Sequence, residues 1–208
     1  DSSTCQQALA VAEKYHLKLS ARAIDCLCQE TPKQLDNVES CITGSVRELC
    51  TAAAAACRSL GYRPVLLTDC LCCQAREAGS FLASILKTHA RPSEPLAFLA
   101  GGETVVRLTG HGKGGRNQEL ALAAAPGIAG IDNAAVFSVG SDGTDGPTDA
   151  AGGYVDVDTL SALARKGYDV SAVLTQNDAY HALSAVNGLI VTGPTGTNVN
   201  DAVSYTHL

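Results

Sequence analysis

The spacing of apolar residues along the chain predicts helices and strands in alternation. Residues 4–16 and 45–61 carry apolar positions at helical intervals, and 95–102 is a continuous apolar run of the kind found in buried strands. The predicted helices are 4–16, 21–29, 45–61, 74–88, 118–126, 158–167 and 178–186. The predicted strands are 38–44, 62–69, 95–102, 103–110, 133–140 and 188–193. This order favours an α/β fold in three layers, with mixed or parallel sheets and glycine-rich ligand loops.

Two domains are predicted, 1–92 and 93–208. Residues 88–95 (THARPSEP) are the linker candidate between them, because they are rich in proline and charge. Ahead of this linker, the two strands at 38–44 and 62–69 and the helix between them would form a strand–helix–strand unit. Such a unit predicts a parallel sheet with a right-handed crossover, in which 62–69 is buried.

Composition narrows the functional classes. The chain has 208 residues, 46% of them hydrophobic, and a formal net charge of -6, which gives no general attraction to nucleic acid or to anionic membranes. No window reaches the roughly 18–20 continuous apolar residues of a membrane span. The first residues, DSSTCQQ, lack the basic start of a signal peptide, and the chain contains no methionine. We therefore expect a fragment of a longer protein.

Nine cysteines at irregular spacing make a poor disulfide framework. We interpret them as small buried apolar residues of a protein in a reducing cytosol. Cys70 and Cys73 form a CxxC pair, and Cys26 and Cys28 form a CxC pair, so structural zinc stays open. Against zinc, the segment that contains Cys70, Cys72 and Cys73 continues a helical pattern.

The stretch GHGKGGRNQE, residues 110–119, places four glycines and two cations at the start of a predicted helix. A helix N-terminus attracts anions, and glycines let the backbone approach a phosphate closely. Lys113 adds a mobile charge, Arg116 adds a planar fork that suits phosphate or carboxylate, and Asn117 is the expected N-cap. The pattern predicts an anion site.

Several anions fit this local pattern. Gly110, Gly112 and Gly115 match G-x-G-x-x-G, the dinucleotide fingerprint, although the preceding segment and the lysine inside the motif are unusual for it. A Walker A loop is excluded because Lys113 is followed by glycine. A glycine turn with solvated charges is the structural alternative.

Two further loops follow predicted strands. In SDGTDGPTDAAGG, Asp142, Asp145 and Asp149 suggest Mg²⁺ near a phosphate site, or else turn and helix-start roles; the EF-hand pattern is not satisfied. The loop TGPTGTNVND, residues 192–201, offers N–H groups and hydroxyls, either as a phosphate or substrate nest or as a tight connection.

Taken together, these motifs resemble those of the type 2 glycerate kinases, and more narrowly that family's C-terminal MOFRL domain. The matching segments are GGET (101–104), GHGKGGRNQELAL (110–122), GSDGTDGPTDAAGG (140–153), ND (177–178) and TGPTGTNVND (192–201). Upstream, NVESCITGS and LGYRPVLLTD resemble the end of the family's larger, Rossmann-like N-terminal domain. The resemblance implies that 1–92 is a remnant of that domain and 93–208 a MOFRL-type domain.

The resemblance also implies an activity. It indicates a cytoplasmic kinase that moves phosphate from ATP to the 2-hydroxyl of D-glycerate, in a cleft between two domains and with Mg²⁺ or another divalent cation. A homodimer stays open, and this chain alone is expected to be inactive. The alternatives are an NAD(P)-dependent hydroxypyruvate reductase, a metal-binding module and a non-catalytic anion-binding domain.

Site residues carried over by motif fall into three groups. The catalytic charges would be Arg116 and Lys113. Metal would be held near Asp142, Asp145 and Asp149. Nucleotide or substrate would contact Gly101, Gly102, Glu103, Thr104, Gly112, Gly114, Gly115, Asn117, Thr144, Thr195, Gly196, Thr197 and Asn198.

Overall fold

A computed structural model describes residues 3–39, 41, 44–91 and 93–207. The chain forms two compact units, Asp1–Ile42 and Thr43–Leu208. The first unit contains two helices, α1 (Cys5–Lys14) and α2 (Ala21–Leu27), both as predicted. Thr4 caps α1 in a capping box, in which its hydroxyl accepts from the backbone N–H of Gln7 and the Gln7 side chain accepts from the backbone N–H of Thr4.

The second unit is built on one six-stranded sheet. Its helices are α3 (Val46–Ser59), α4 (Ala75–Thr88), α5 (Arg116–Ile128), α6 (Thr159–Arg165), α7 (Val170–Gln176) and α8 (Ala179–Ala185). Its strands are β1 (Arg63–Leu71), β2 (Leu96–Gly102), β3 (Ala134–Gly140), β4 (Gly152–Asp156), β5 (Leu189–Ile190) and β6 (Asp201–His207). The strand order is β1-β2-β6-β3-β4-β5, where β1 and β2 are parallel and every other neighbouring pair is antiparallel.

Helices cover both faces of the sheet. On one face, Gly101 of β2 lies against Val46 and Cys50 of α3, which leaves no room there for a side chain. On the other face, Phe98 and Ala100 join the main apolar core with residues of α4 and α5. The predicted three-layer α/β fold with a mixed sheet is therefore confirmed.

Several predicted elements differ from the structure. Residues 103–110 form a loop in which Val105 makes only an isolated bridge to Gln74. The apolar side chains of Val105, Val106 and Leu108 line a cleft, and Val106 also packs against the core, so the local pattern is the same as that of a strand. Of the predicted strand 38–44, residues 38, 39, 41 and 44 are not in a strand, and 40, 42 and 43 lie outside the described residues.

Strand β1 is an edge strand whose Leu66 and Leu67 are exposed, so the prediction of a buried strand at 62–69 was wrong. The predicted strand 188–193 is reduced to the two residues of β5. Helix α7 and strands β4 and β6 were not predicted. Strand β6 carries no continuous apolar run, and it forms because β2 and β3 pair with it on both sides.

The predicted division between residues 92 and 93 stays a prediction, although β1 and β2, on its two sides, pair in one sheet. Within the described residues, no helix is both long and apolar enough to cross a membrane.

Most of the cysteines are not core residues. Cys50 is the buried one, whereas five are exposed and three are partly buried; all nine are free thiols. Cys70 lies in β1, with Cys72 and Cys73 between β1 and α4, so the helical pattern predicted for them was wrong. Among the described residues no three His, Cys, Asp or Glu side chains are grouped to hold a metal ion, which leaves structural zinc without support.

Candidate functional site

Polar side chains converge at one edge of the sheet, the one where β2 and β3 end and β6 begins, because of the strand directions. Strands β2 and β3 both run antiparallel to β6, so their carboxyl ends lie on either side of its amino end. Gly102 and Gly140, the last residues of β2 and β3, are both in register with Asp201. The loops that follow β2 and β3 therefore meet at Asp201.

The side chain of Arg116, the first residue of α5, is fixed at this edge by two carboxylates. Its Nε and Nη2 donate to the two carboxylate oxygens of Asp201, at 2.5 and 3.1 Å, and Nη1 lies 3.2 Å from Oε1 of Glu103. The Asp201 side chain is 5% exposed and that of Arg116 is 35% exposed. The hydrogen bond to Asp201 raises the pKa of Arg116, so the guanidinium is charged at any working pH.

A cleft of about 620 Å³ opens beside Arg116. The loop between β2 and α5 forms one wall, and residues 145–147 and the α7–α8 connection contribute to the rest. Its lining residues are Glu103, Thr104, Val105, Val106, Leu108, Gly110, Gly112, Gly114, Gly115, Arg116, Glu119, Asp145, Gly146, Pro147, Asn177 and Ala179.

The first turn of α5 is already capped by a carboxylate of the protein. Asp145 accepts hydrogen bonds from the backbone N–H groups of Asn117 (3.1 Å) and Gln118 (2.9 Å), and from Nδ2 of Asn117 (3.2 Å). The N-cap residue is Gly115, so the prediction of Asn117 as N-cap was wrong: the helix begins earlier, and Asn117 lies inside it. Burial raises the pKa of Asp145 to about 6, against the lowering effect of these hydrogen bonds.

Lys113 belongs to a second cluster. Its Nζ lies 4.2 Å from the centre of the Tyr180 ring, a cation–π contact. The Tyr180 hydroxyl donates to Oδ1 of Asp149 at 2.8 Å, and this hydrogen bond, with the charge of Lys113 nearby, lowers the pKa of Asp149. The structure therefore places Lys113 with Asp149 and Tyr180, whereas Arg116 lies with Asp201 and Glu103.

The third predicted loop packs on the second. Thr195 donates its backbone N–H to the carbonyl of Asp142 (3.2 Å) and its hydroxyl to the carbonyl of Ser141 (2.5 Å). The Ser141 hydroxyl accepts from the backbone N–H of Val199 at 2.8 Å. Asp142 accepts from the backbone N–H of Thr144 at 2.9 Å, which forms an Asx turn. Both loops therefore lie at the sheet edge that carries Asp201.

The three predicted metal-binding aspartates are not grouped around a common point. The carboxylate of Asp145 is used by α5 and that of Asp149 by Tyr180. Asp142 and Asp201 flank Gly140, since a Cβ there would lie 3.1 and 3.5 Å from their Oδ1 atoms, but Asp201 is committed to Arg116. The described residues do not form a complete divalent-cation site, and Asp142 is the one predicted aspartate whose carboxylate no other side chain engages.

A model of the MOFRL family matches residues 96–201, from the start of β2 to Asp201. The chain belongs to the MOFRL family.

Longer relatives share this MOFRL segment. A D-glycerate 2-kinase of Thermotoga maritima is 48% identical over 207 residues, which are 98% of this chain and 50% of the relative. A crystal structure of glycerate kinase from the same organism has a TM-score of 0.80 and 47% identity, covering 100% of this chain and 51% of that one. A relative from Agrobacterium vitis, provisionally named a hydroxypyruvate reductase, is 37% identical over 97% of this chain and 48% of its own length. The chain spans about half the length of these relatives.

Within the MOFRL segment, the structure brings together some predicted residues and separates others. Glu103, Arg116 and the loop glycines 112, 114 and 115 line one cleft, together with Thr104. Gly101 and Gly102 lie within β2, packed against α3 and β1. Thr144 and residues 195–198 belong to the two loops at the sheet edge, while the Lys113 side chain is turned toward Tyr180.

Sequence reasoning missed two residues of the MOFRL segment that organise the site. Asp201 was quoted as the end of a motif, but it was not recognised as the partner of Arg116, which lies 85 residues away. Asn177 was quoted in the ND pair, but its contacts to the 107–110 loop were not foreseen. An asparagine directly before the predicted helix 178–186 was a usable signal, because asparagine tolerates left-handed backbone conformations.

Proposed function

We propose that the intact protein is a glycerate kinase, which transfers the terminal phosphoryl group of ATP to the 2-hydroxyl of D-glycerate. The observation that carries the proposal is the 48% identity to a D-glycerate 2-kinase across 98% of this chain. The convergence of two glycine-rich loops, the aspartate loop and Arg116 at one sheet edge supports it.

In this proposal Arg116 stabilises charge on the transferred phosphoryl group. Asp201 engages the Nε and Nη2 edge of the guanidinium and Glu103 lies against Nη1, which leaves one N–H group on each of Nη1 and Nη2 for phosphate oxygens. Phosphoryl transfer is mostly positioning and charge stabilisation, so a guanidinium held rigidly in place is suited to it. Lys113 stays a candidate for anion contact, although reaching the cleft requires it to leave the Tyr180 ring.

Groups outside this chain are needed for the reaction. Arg116, Glu103 and Asp201 together carry a net charge of about −1, and Asp145 adds negative charge to the cleft lining above its pKa of about 6, whereas Glu119 is paired with Arg76. The negatively charged phosphate groups of ATP would be repelled by such a surface unless cations face it from elsewhere. We assign these to the half of the relatives' length that the chain does not span.

ATP as co-substrate and Mg²⁺ as the divalent cation are both parts of this proposal. ATP follows from the kinase activity. For Mg²⁺ the chain offers Asp142 as a single carboxylate, and Mg²⁺ commonly uses one or two carboxylates with substrate phosphates and waters. The described residues do not complete a site for the ion. A cytoplasmic location and a homodimer stay predictions.

The reductase alternative is less compatible with the geometry. A dinucleotide fingerprint would place pyrophosphate on the first turn of α5, but Asp145 already occupies those N–H groups. Gly115 lies against Asp145, and Gly110 and Gly112 lie against residues 176–178, so these glycines are needed for contacts within the protein.

The proposal is tested on the intact protein. Purified enzyme with ATP, Mg²⁺ and D-glycerate should release ADP, and NMR of the product should show 2-phosphoglycerate. The same preparation should leave NADH and NADPH unoxidised with hydroxypyruvate. Substrate-dependent NAD(P)H oxidation without glycerate-dependent ADP release would replace the kinase with the reductase.

A further inference from the structure

The connection between α7 and α8 serves as a docking surface for the glycine-rich loop. Gly112 donates its backbone N–H to the carbonyl of Gln176 (2.8 Å), and Lys113 donates its backbone N–H to Oδ1 of Asp178 (2.9 Å). Tyr180 donates its backbone N–H to the carbonyl of Lys113 at 2.9 Å. A Cβ on Gly112 would lie 2.4 Å from Cβ of Asp178, closer than any real contact. The loop therefore lies tightly against residues 176–180.

Asn177 makes the largest share of these contacts. Its Oδ1 accepts from the backbone N–H groups of Thr109 (2.7 Å) and Gly110 (2.9 Å). Its Nδ2 donates to the carbonyl of Arg107 (3.1 Å) and to Oε2 of Glu119 (3.1 Å). Both ends of the amide are thus used, on a residue that is 6% exposed.

Glu119 extends these contacts to the helix that carries Arg116. It is buried in the first turn of α5, three residues after Arg116, and its Oε1 pairs with Nε of Arg76 at 3.0 Å. Arg76 also donates to the carbonyl of Leu174 at 2.9 Å, near the end of α7. A chain of buried and partly buried polar contacts therefore joins the loop, α7 and the first turn of α5.

We propose that Asn177 is a positioning residue: its side-chain amide holds the 107–110 wall of the cleft at a fixed distance from the first turn of α5 and from Arg116. This inference rests on the proposed function, because the position of the wall affects a reaction rate only if the reaction takes place in this cleft. Displacements of about 1 Å between reacting groups lower turnover by up to roughly 100-fold, so a fixed wall matters for the rate.

The site requires asparagine for two physical reasons. Residue 177 ends α7 with φ of 55°, in the left-handed region that asparagine and glycine adopt most readily. An aspartate keeps the shape but loses both Nδ2 donors, and it places a second carboxylate against Glu119. A glycine keeps the backbone and removes the amide.

The two substitutions at residue 177 separate these roles in the intact protein. We expect Asn177→Asp and Asn177→Gly to lower kcat for glycerate phosphorylation by about 10- to 100-fold at temperatures where circular dichroism shows both fully folded. Asn187→Asp is the matched control, because Asn187 also has a left-handed backbone (φ 57°) but is exposed.

A rescue variant tests the contact itself. In Asn177→Asp/Glu119→Gln, the new Nε2 can donate to the aspartate while Oε1 still accepts from Arg76, so kcat should recover at least threefold over Asn177→Asp. A merely structural role would make the double variant no better than the worse single variant, and that result would overturn the proposal.

Hydrogen–deuterium exchange keeps this inference separate from the kinase assignment. Peptides covering 107–113 should exchange faster in Asn177→Asp and Asn177→Gly, and at the wild-type rate in Asn187→Asp, whatever reaction the enzyme catalyses. Unchanged exchange in both Asn177 variants overturns the positioning role even if the kinase activity is confirmed. Faster exchange with no kinase activity in the wild type supports the positioning of the loop and removes only the proposed function.

Discussion

At the scale of single residues, Arg116 combines a charge and a shape that can be separated by substitution. Asp201 is nearly buried, so removing the positive charge altogether would leave an unpaired carboxylate and confuse stability with catalysis. Lysine retains the charge beside Asp201 but lacks the planar fork that holds two carboxylates and still faces a phosphate.

We therefore predict that Arg116→Lys in the intact protein lowers kcat/KM by about 100-fold or more, the size typical of a lost charge stabiliser in a transition state. The melting temperature should change by only a few degrees. Steady-state kinetics and thermal unfolding measure the two effects. Arg47→Lys, in the exposed pair with Asp69, is the control for an arginine without a site role. Near-wild-type kcat/KM would remove Arg116 from the reaction.

Asp145 gives a prediction about pH. Burial raises its pKa to about 6, above the ordinary value of 3.8, so the folded protein binds more protons than the unfolded chain between these pH values. The stabilising contribution is complete below pH 4 and is lost as the pH rises through 6. About two pKa units correspond to roughly 3 kcal/mol of unfolding free energy.

Asp145→Asn should remove this dependence. Relative to the wild type, the variant should gain up to about 3 kcal/mol of unfolding free energy between pH 4 and pH 7, on top of any constant loss from the altered hydrogen bonds. Urea unfolding at four pH values measures the difference. Parallel stability curves would show that folding does not raise the pKa of Asp145, with its hydrogen bonds to α5 offsetting burial.

At the scale of elements, the glycines of the 110–115 loop differ in what surrounds them. A Cβ at Gly112 would lie 2.4 Å from Cβ of Asp178 and 2.7 Å from the carbonyl oxygen of Gln176, whereas at Gly114 the nearest atom would be 3.3 Å away. The first position has no space for a methyl group, and the second needs only a small adjustment.

We predict that Gly112→Ala lowers the unfolding free energy by about 1–3 kcal/mol, the usual cost of overpacking, and that Gly114→Ala costs clearly less. The reason is that Gly112→Ala forces the loop away from the α7–α8 connection and breaks the hydrogen bond to Gln176. Chemical denaturation of the two variants side by side gives the comparison. Equal losses at both positions would mean that the loop relaxes freely and is not held by residues 176–178.

At the scale of the whole molecule, the cleft lining carries more negative than positive charge. Among the described residues of the cleft lining, Arg116 is the one cation; Glu103 and Asp145 outnumber it, and the charge of Glu119 is balanced by Arg76. A nucleotide triphosphate would find little net attraction on this surface alone.

We predict that this chain, expressed alone, releases no ADP above background with glycerate, ATP and Mg²⁺. Its folding should be verified first by circular dichroism and a cooperative melting transition. The intact protein, assayed in parallel, is the positive control. Turnover within tenfold of the intact protein would show that the whole catalytic set lies within these 208 residues.

Local pattern was sufficient for most of the helices and for the glycine-rich loops. Apolar spacing predicted α3, α4, α5, α6 and α8, and the glycines with Arg116 at the start of α5 indicated the segment that lines the cleft, because helix periodicity and turn chemistry are properties of short segments. The same reasoning failed for residues 103–110, because an apolar run that lines a cleft has the same local pattern as one that enters a sheet.

The sequence by itself determined where charge and backbone freedom are concentrated; the tertiary structure alone decided which groups meet. Arg116 faces Asp201 because β6, the last strand in the chain, inserts between β2 and β3. Asp145, predicted as a metal ligand, caps α5 because the loop after β3 folds back over that helix's first turn. Such pairings depend on strand order and direction, which are set by burial of the whole sheet and leave no trace in the spacing of nearby residues.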